Sequence, residues 1–282
     1  MTENERKLNE ALQRAHEDYE RLSERLAQRS EREIAATRLL IVDLLYEFAK
    51  KDNTISKSRL NSLLREVERV EQELREVTQE SVIAAMEESA EVAYEDAFAA
   101  FQRAVGVSAE FVLTARVAES AILPTLTGRK PTPRNLATYL AERTGPDGLQ
   151  LSDRVWQFAG DQREEINRVL RAGIIRGDTT AKMVREVRAV YRTEAWKARR
   201  LVLTEANVAY RTAIGYTAER SKFVRALRLI PGIHRSESCV ETAKENRHGL
   251  GRGIFLPSDT DIFNIHPNCT SYTQYILNEE VR

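Results

Sequence analysis

Apolar residues in the first third of the chain recur at helical spacing. Leu8, Leu12, Ala15, Tyr19, Leu22 and Leu26 alternate steps of four and three, with charged and amide residues between them. Leu60, Leu63, Val67, Val70, Leu74 and Val77 repeat the pattern. Both rows are heptad seams of the coiled-coil type. Lys51-Asp52-Asn53 reads as a turn between them, with Thr54 or Ser56 available to cap the second helix. The pattern predicts a long helical hairpin, an arm on the order of 60–70 Å at 1.5 Å per residue. Each seam lasts roughly three heptads, so its partner is either this chain or another.

From Ser81 to Leu123 the chain is alanine-rich, with Tyr94, Phe98, Phe101 and Phe111 as larger anchors. Prolines at 124, 131, 133 and 146 then fall among Gly128, Gly145 and Gly148, which predicts a connection over 124–150 holding one short helix near Asn135–Arg143. Beyond it, Ser152 is a candidate helix cap and Asp153 suits a first turn. Ile166, Val169, Leu170 and Ile174 form one apolar stripe; Met183, Val184, Val187, Val190 and Tyr191 form the next. Gly177-Asp178-Thr179 separates them as a stop followed by a cap. A further helix is expected over Glu194–Glu219, and strands over Phe223–Ile230 and Ser271–Ile276, which could pair. Trp156 and Trp196, among apolar neighbours on helices, are expected in the core. The expected fold is mainly α, in three segments. Residues 1–123 form the arm and alanine-rich helices, 124–150 a connection, and 151–282 a helical domain ending in a small α+β module.

The 282 residues, 42% hydrophobic, suffice for a real core. The charged N-terminus does not read as a signal peptide, and the most apolar run, Ile34–Ala49, is interrupted by Arg38, Asp43 and Glu47 and is too short to span a bilayer. A soluble protein is expected. Two cysteines argue against a disulfide-built scaffold and suit a reducing compartment. The formal net charge of zero conceals an internal polarity: residues 1–123 carry 17 basic and 25 acidic side chains, residues 163–228 carry 16 and 7. Arg185, Arg188, Arg192, Lys197 and Arg199 in the basic segment could face DNA, an acidic partner, or the chain's own acidic half.

The distinctive chemistry is concentrated between Ile233 and Tyr272. Both cysteines, Cys239 and Cys269, and three of the four histidines lie there. Cys239, His266 and Cys269, with His248 or His234 as a fourth, have the donor types of a mixed nitrogen and sulfur zinc site. Cys239 lacks a near partner, so two unbonded buried thiols or a Cys239–Cys269 disulfide are the competing readings, and the default is no cofactor. In that default, Pro267 fixes a turn that His266 and Asn268 hold in place. Glu205 falls on the buried seam of its helix and needs a partner, for which Arg171 or Arg176 is the structural expectation; the catalytic reading makes it an acid or base. Nothing else completes a reaction centre, so no catalytic residue is assigned. Gly249-Leu250-Gly251-Arg252-Gly253 is followed by no helix start, and a flexible loop is expected rather than a phosphate cradle.

Four segments resemble, in order, the phage Mu F-like minor head proteins, the head morphogenesis family: Leu151-Ser152-Asp153-Arg154-Val155-Trp156, Gly173–Thr180, Arg200 with Thr204-Glu205, and Cys239 with His266-Pro267-Asn268-Cys269. The resemblance covers roughly residues 150–275. Where many relatives carry a second cysteine at each cysteine site, this chain has Thr242 and Ser271, which excludes a four-thiolate centre. The family implies a bacteriophage virion protein at the portal vertex of the head, made in the host cytoplasm and acting in head assembly and genome packaging or ejection. Its implied partners are the portal protein, the major capsid or scaffold protein, and phage DNA; no membrane is expected. The alternatives are an enzyme, either a head maturation protease or a protein linked to an ADP-ribosyltransferase, and a DNA-binding protein.

Overall fold

A computed structural model describes residues 2–106, 122, 132–232 and 236–278; Phe111, Pro124, Pro131 and His234 lie outside the described residues. The chain is mainly α with a small three-stranded antiparallel sheet near its C-terminus. The helices are α1 (Glu3–Glu47), α2 (Leu60–Val105), α3 (Pro133–Glu142), α4 (Leu151–Arg176), α5 (Thr180–Arg220) and the short α6 (Glu237–Thr242). The strands are β1 (Val224–Ile230), β2 (Ile254–Phe255) and β3 (Tyr272–Leu277). No helix among the described residues is long and apolar enough to cross a membrane.

The chain divides into two compact units. A helical unit takes Ala27–Val82 and Leu149–Val202, and a sheet unit takes Met1–Leu26, Ile83–Gly148 and Leu203–Arg282. This partition differs from the three consecutive segments expected from composition. The reason lies in what covers the first hairpin. In the helical unit, Ile41, Val42 and Leu45 of α1 and Leu63, Val67 and Val70 of α2 share one core with Ile166, Leu170 and Ile174 of α4 and Met183, Val184 and Val187 of α5. Leu63, Val67 and Val70 of the second seam are thus buried by the second half of the chain rather than presented on a separate arm.

The helical unit follows local rules closely. Gly177 adopts the left-handed conformation (φ 77°) and ends α4, with the Asp178 N–H donating to Gly173 O. The expected cap at Ser152 is not used. The helix begins one residue earlier, and Asp153 accepts a hydrogen bond from the Gln150 N–H at 2.9 Å. The α1–α2 turn places Asn53 at φ 58°, and its carbonyl accepts from the Thr180 N–H at 2.8 Å, tying the two connections together. Where two helices were expected, α5 runs unbroken, since Tyr191 to Glu194 contains neither glycine nor proline.

Both tryptophans are exposed, Trp156 by 57% and Trp196 by 53%, against the expectation of core packing. The stripe that α4 buries is Leu151, Val155, Phe158, Ala159, Gln162 and Ile166. At about 100° per residue, Trp156 lies on its flank, and Trp196 sits nearly opposite Val187 on α5. Apolar neighbours in sequence did not mean apolar neighbours in space.

In the sheet unit the strand order is β2-β1-β3, with Leu227 opposite Phe255 on one side and Tyr275 on the other. The two long strands lie within a residue of the expected spans. Asn9 of α1 completes the β3 edge: its side chain donates to Tyr275 O at 2.9 Å and accepts from the Tyr275 N–H at 2.8 Å. Aromatic rings fill the interior. Tyr19 stacks on Tyr210 at 3.8 Å between centroids, and Phe101 meets both Phe223 and Tyr275.

Candidate functional site

Thr204, Asn207 and Arg211 lie at i, i+3 and i+7 on α5, so they share one face. That face receives the C-terminal loop. The Thr204 hydroxyl accepts from the Asn268 N–H at 2.9 Å, and Asn207 Nδ2 donates to Cys269 O at 3.2 Å. Arg211, 3% exposed, donates through Nε to Phe263 O at 2.9 Å and through Nη1 to Cys269 O at 2.6 Å. A guanidinium with its donors in a rigid fork is suited to gathering several carbonyls at once. Arg211 and Asn207 went unnoticed as site residues in the sequence; their i+3 and i+7 spacing from Thr204 was the available signal.

The loop they hold is the His266–Cys269 turn. Pro267 occupies its first central position and Asn268 its second, at φ 56°, the left-handed conformation that asparagine tolerates better than most residues. The turn sets Cys269 beneath α5 and aims His266 at Cys239, which α6 carries. The Cys239 N–H donates to the Ser236 hydroxyl at 3.2 Å as that helix begins. Cys239 Sγ lies 2.9 Å from His266 Nε2 and 3.4 Å from Cys269 Sγ, and one donor atom from each of the three residues falls within 4.8 Å of the others. Both thiols are fully buried and unbonded to one another; His266 is half-buried.

Hydrogen bonding fixes the state of these groups. His266 Nδ1 lies 2.8 Å from Pro267 O, and a carbonyl can only accept, so Nδ1 carries the proton. With Nδ1 so engaged, Nε2 is the ring nitrogen that faces Cys239 Sγ, at 2.9 Å. The Ser271 hydroxyl donates to Cys239 Sγ at 3.1 Å. Burial raises the Cys239 thiol despite Ser271 and Ser236. Burial acts the same way on Cys269 but is outweighed by the charge of Arg211 and by hydrogen bonds from Ser271, which bring that thiol down.

The remaining candidates are dispersed. His248 is not part of the cluster; it pairs with Asp259 at 2.8 Å beside the glycine loop. That loop is a built turn, with Gly249, Gly251 and Gly253 all at positive φ, the Gly253 N–H on Glu245 O at 2.7 Å and Gly253 O accepting from Leu229 in β1. Glu205, 1% exposed, is paired as expected but with Arg143, at 2.9 Å. Arg176, one of the two expected partners, pairs with Asp178 in the helical unit. Residue 143 follows α3, whose sequence distance of 62 residues from Glu205 hid the pairing. In the helical unit Arg185, Arg188, Arg192 and Arg200 are exposed, as are Ser152 and Asp153, while Lys197 pairs with Asp161 at 3.2 Å and Arg199 with Glu31 at 3.9 Å. No family model matches the chain, and neither does any curated protein or solved structure.

Proposed function

We propose that this chain is a minor structural component of a tailed-phage head, associated with the portal and acting in head assembly and in packaging or release of the genome. The reading rests on the resemblance of its four segments, in order, to minor head proteins of the phage Mu F-like family. One observation carries it beyond sequence. Polar groups of the last two segments are engaged in holding the fold: Thr204 with Asn268, Glu205 with Arg143, and the His266–Cys269 turn against α5. A protein whose distinctive residues build structure acts through the surface it presents. Here that surface includes Arg185, Arg188, Arg192, Trp156 and Trp196, all exposed, residue types enriched where proteins meet. No catalytic group is assigned.

Co-expression of the full chain with the portal protein of the same genome tests the reading. The two should co-elute on size exclusion and give a mixed complex in native mass spectrometry. Trp156→Ala combined with Trp196→Ala should weaken that complex at least tenfold while the helical content stays unchanged. Separate elution at every salt concentration would remove the portal assignment.

A further inference from the structure

We propose that Cys239, His266 and Cys269 bind one zinc ion, with water as the fourth ligand. Four features of the site point to a metal rather than to a resting thiol pair. The donors converge: zinc at bonds of about 2.0–2.3 Å holds tetrahedral sulfur and nitrogen ligands roughly 3.5–3.8 Å apart. The sulfurs stand at 3.4 Å and the imidazole nitrogen at 2.9 Å from Cys239, and all three donors fall within 4.8 Å of one another, so loading requires shifts on the order of 1 Å.

The second feature is the imidazole. With its Nδ1 proton held by Pro267 O, His266 turns an unprotonated Nε2 on the two sulfurs. This is the arrangement by which protein-bound metals orient their histidine ligands, a carbonyl fixing the tautomer from behind. A disulfide between Cys239 and Cys269 would leave that lone pair without a role. The third feature is charge. Two thiolates neutralise a divalent cation, so loading adds no net charge to the buried cluster beside Arg211, whereas a thiolate pair without a metal would be costly beneath α5. Ser271, donating to Cys239 Sγ at 3.1 Å, supplies the hydrogen bond a coordinated thiolate accepts.

The fourth feature is connectivity. The three ligands come from α6 and from the loop before β3, and Cys239 and Cys269 are 30 residues apart. A metal there closes the glycine loop and β2 into one ring. Binding releases the two thiol protons and forms two Zn–S bonds and one Zn–N bond, with no change of oxidation state. The inference stands apart from the phage reading, since metal content is measured on the purified chain whatever its partner.

The test uses full-length protein made in a reducing cytosol and purified without chelator. Elemental analysis should give close to one zinc per chain, and X-ray absorption at the zinc edge should show two sulfur and two lighter donors. Cobalt exchanged into the site should show thiolate-to-metal charge transfer and tetrahedral ligand-field bands. Cys239→Ser, Cys269→Ser and His266→Ala should each lower zinc by at least tenfold, while His248→Ala keeps it. A measurement on the unaltered chain guards against misfolded variants: one equivalent of zinc added to stripped protein should slow alkylation of both thiols together by more than tenfold. Failure of the native chain to take up zinc or cobalt, thiols whose reactivity ignores zinc, or an isolated Cys239–Cys269 disulfide would each overturn the proposal.

Discussion

His16 is held in its neutral form. The ring stacks on Tyr272 at 4.6 Å, its Nε2 lies 3.2 Å from Thr270 O and 3.7 Å from Glu20, and the residue is 8% exposed. Burial lowers its pKa to about 4; the Thr270 carbonyl and Glu17 oppose that fall, and the charge of Arg211 adds to it. Above about pH 6.5 neither the folded nor the unfolded chain is protonated here. Between that value and about 4 the unfolded chain takes up the proton and the folded one does not. Stability is therefore lost as pH falls through this window, by up to ~3 kcal/mol. Urea midpoints measured across the range should fall less steeply for His16→Gln than for the parent; parallel curves would show that this ring is not the cause. At Gly215, an added methyl would run into the Phe263 ring, which is itself 1% exposed. Gly215→Ala should destabilise by about 1–3 kcal/mol, overriding the usual gain of alanine in a helix. Equilibrium unfolding would reveal the opposite sign if the ring can yield.

Elements were legible wherever short-range periodicity governed them. The α1 and α2 seams, the Gly177 stop and the β1–β3 pair follow from spacing and turn residues alone. What stayed hidden depends on contacts distant in sequence. The buried face of α1 also carries Asn9, His16, Ser23, Ser30 and Thr37, one polar residue every seventh position, each under 10% exposed. A hydrophobic tally passes over such a row, and the partner that satisfies Asn9 is 266 residues away. Asn9→Ala would leave the buried Tyr275 N–H and carbonyl without partners and should cost about 2 kcal/mol or more, read as faster amide exchange along β3. Unchanged exchange there would mean that solvent or a neighbour replaces the amide. The Arg143–Glu205 pair has the same character. Arg143→Ala should cost about 3 kcal/mol by taking an ion-pair partner from a buried carboxylate, and adding Glu205→Leu should recover most of it. Calorimetry that finds the two changes simply additive would place the carboxylate in contact with water.

At the scale of the molecule, the charge polarity of the sequence is partly satisfied within the chain. The helical unit brings acidic residues of α1 and α2 to basic residues of α4 and α5, as in Arg163–Glu71 at 3.3 Å and Arg199–Glu31 at 3.9 Å. Arg185, Arg188 and Arg192 of α5 are exposed. Which half of the candidate site could be read in advance follows the same division. The Cys239, His266 and Cys269 donors announce themselves by type, whereas Arg211 and Ser271, which set the charge and hydrogen bonding around them, have no motif of their own. The functional claim is that this chain is built into a particle rather than turning over a substrate. Quantitative mass spectrometry of purified mature phage particles, from the genome that encodes it, addresses that directly. The expected result is the chain present in every preparation, in far fewer copies than the major capsid protein and in fixed ratio to the portal. Its absence from particles, with all of it free in the lysate, would contradict the claim.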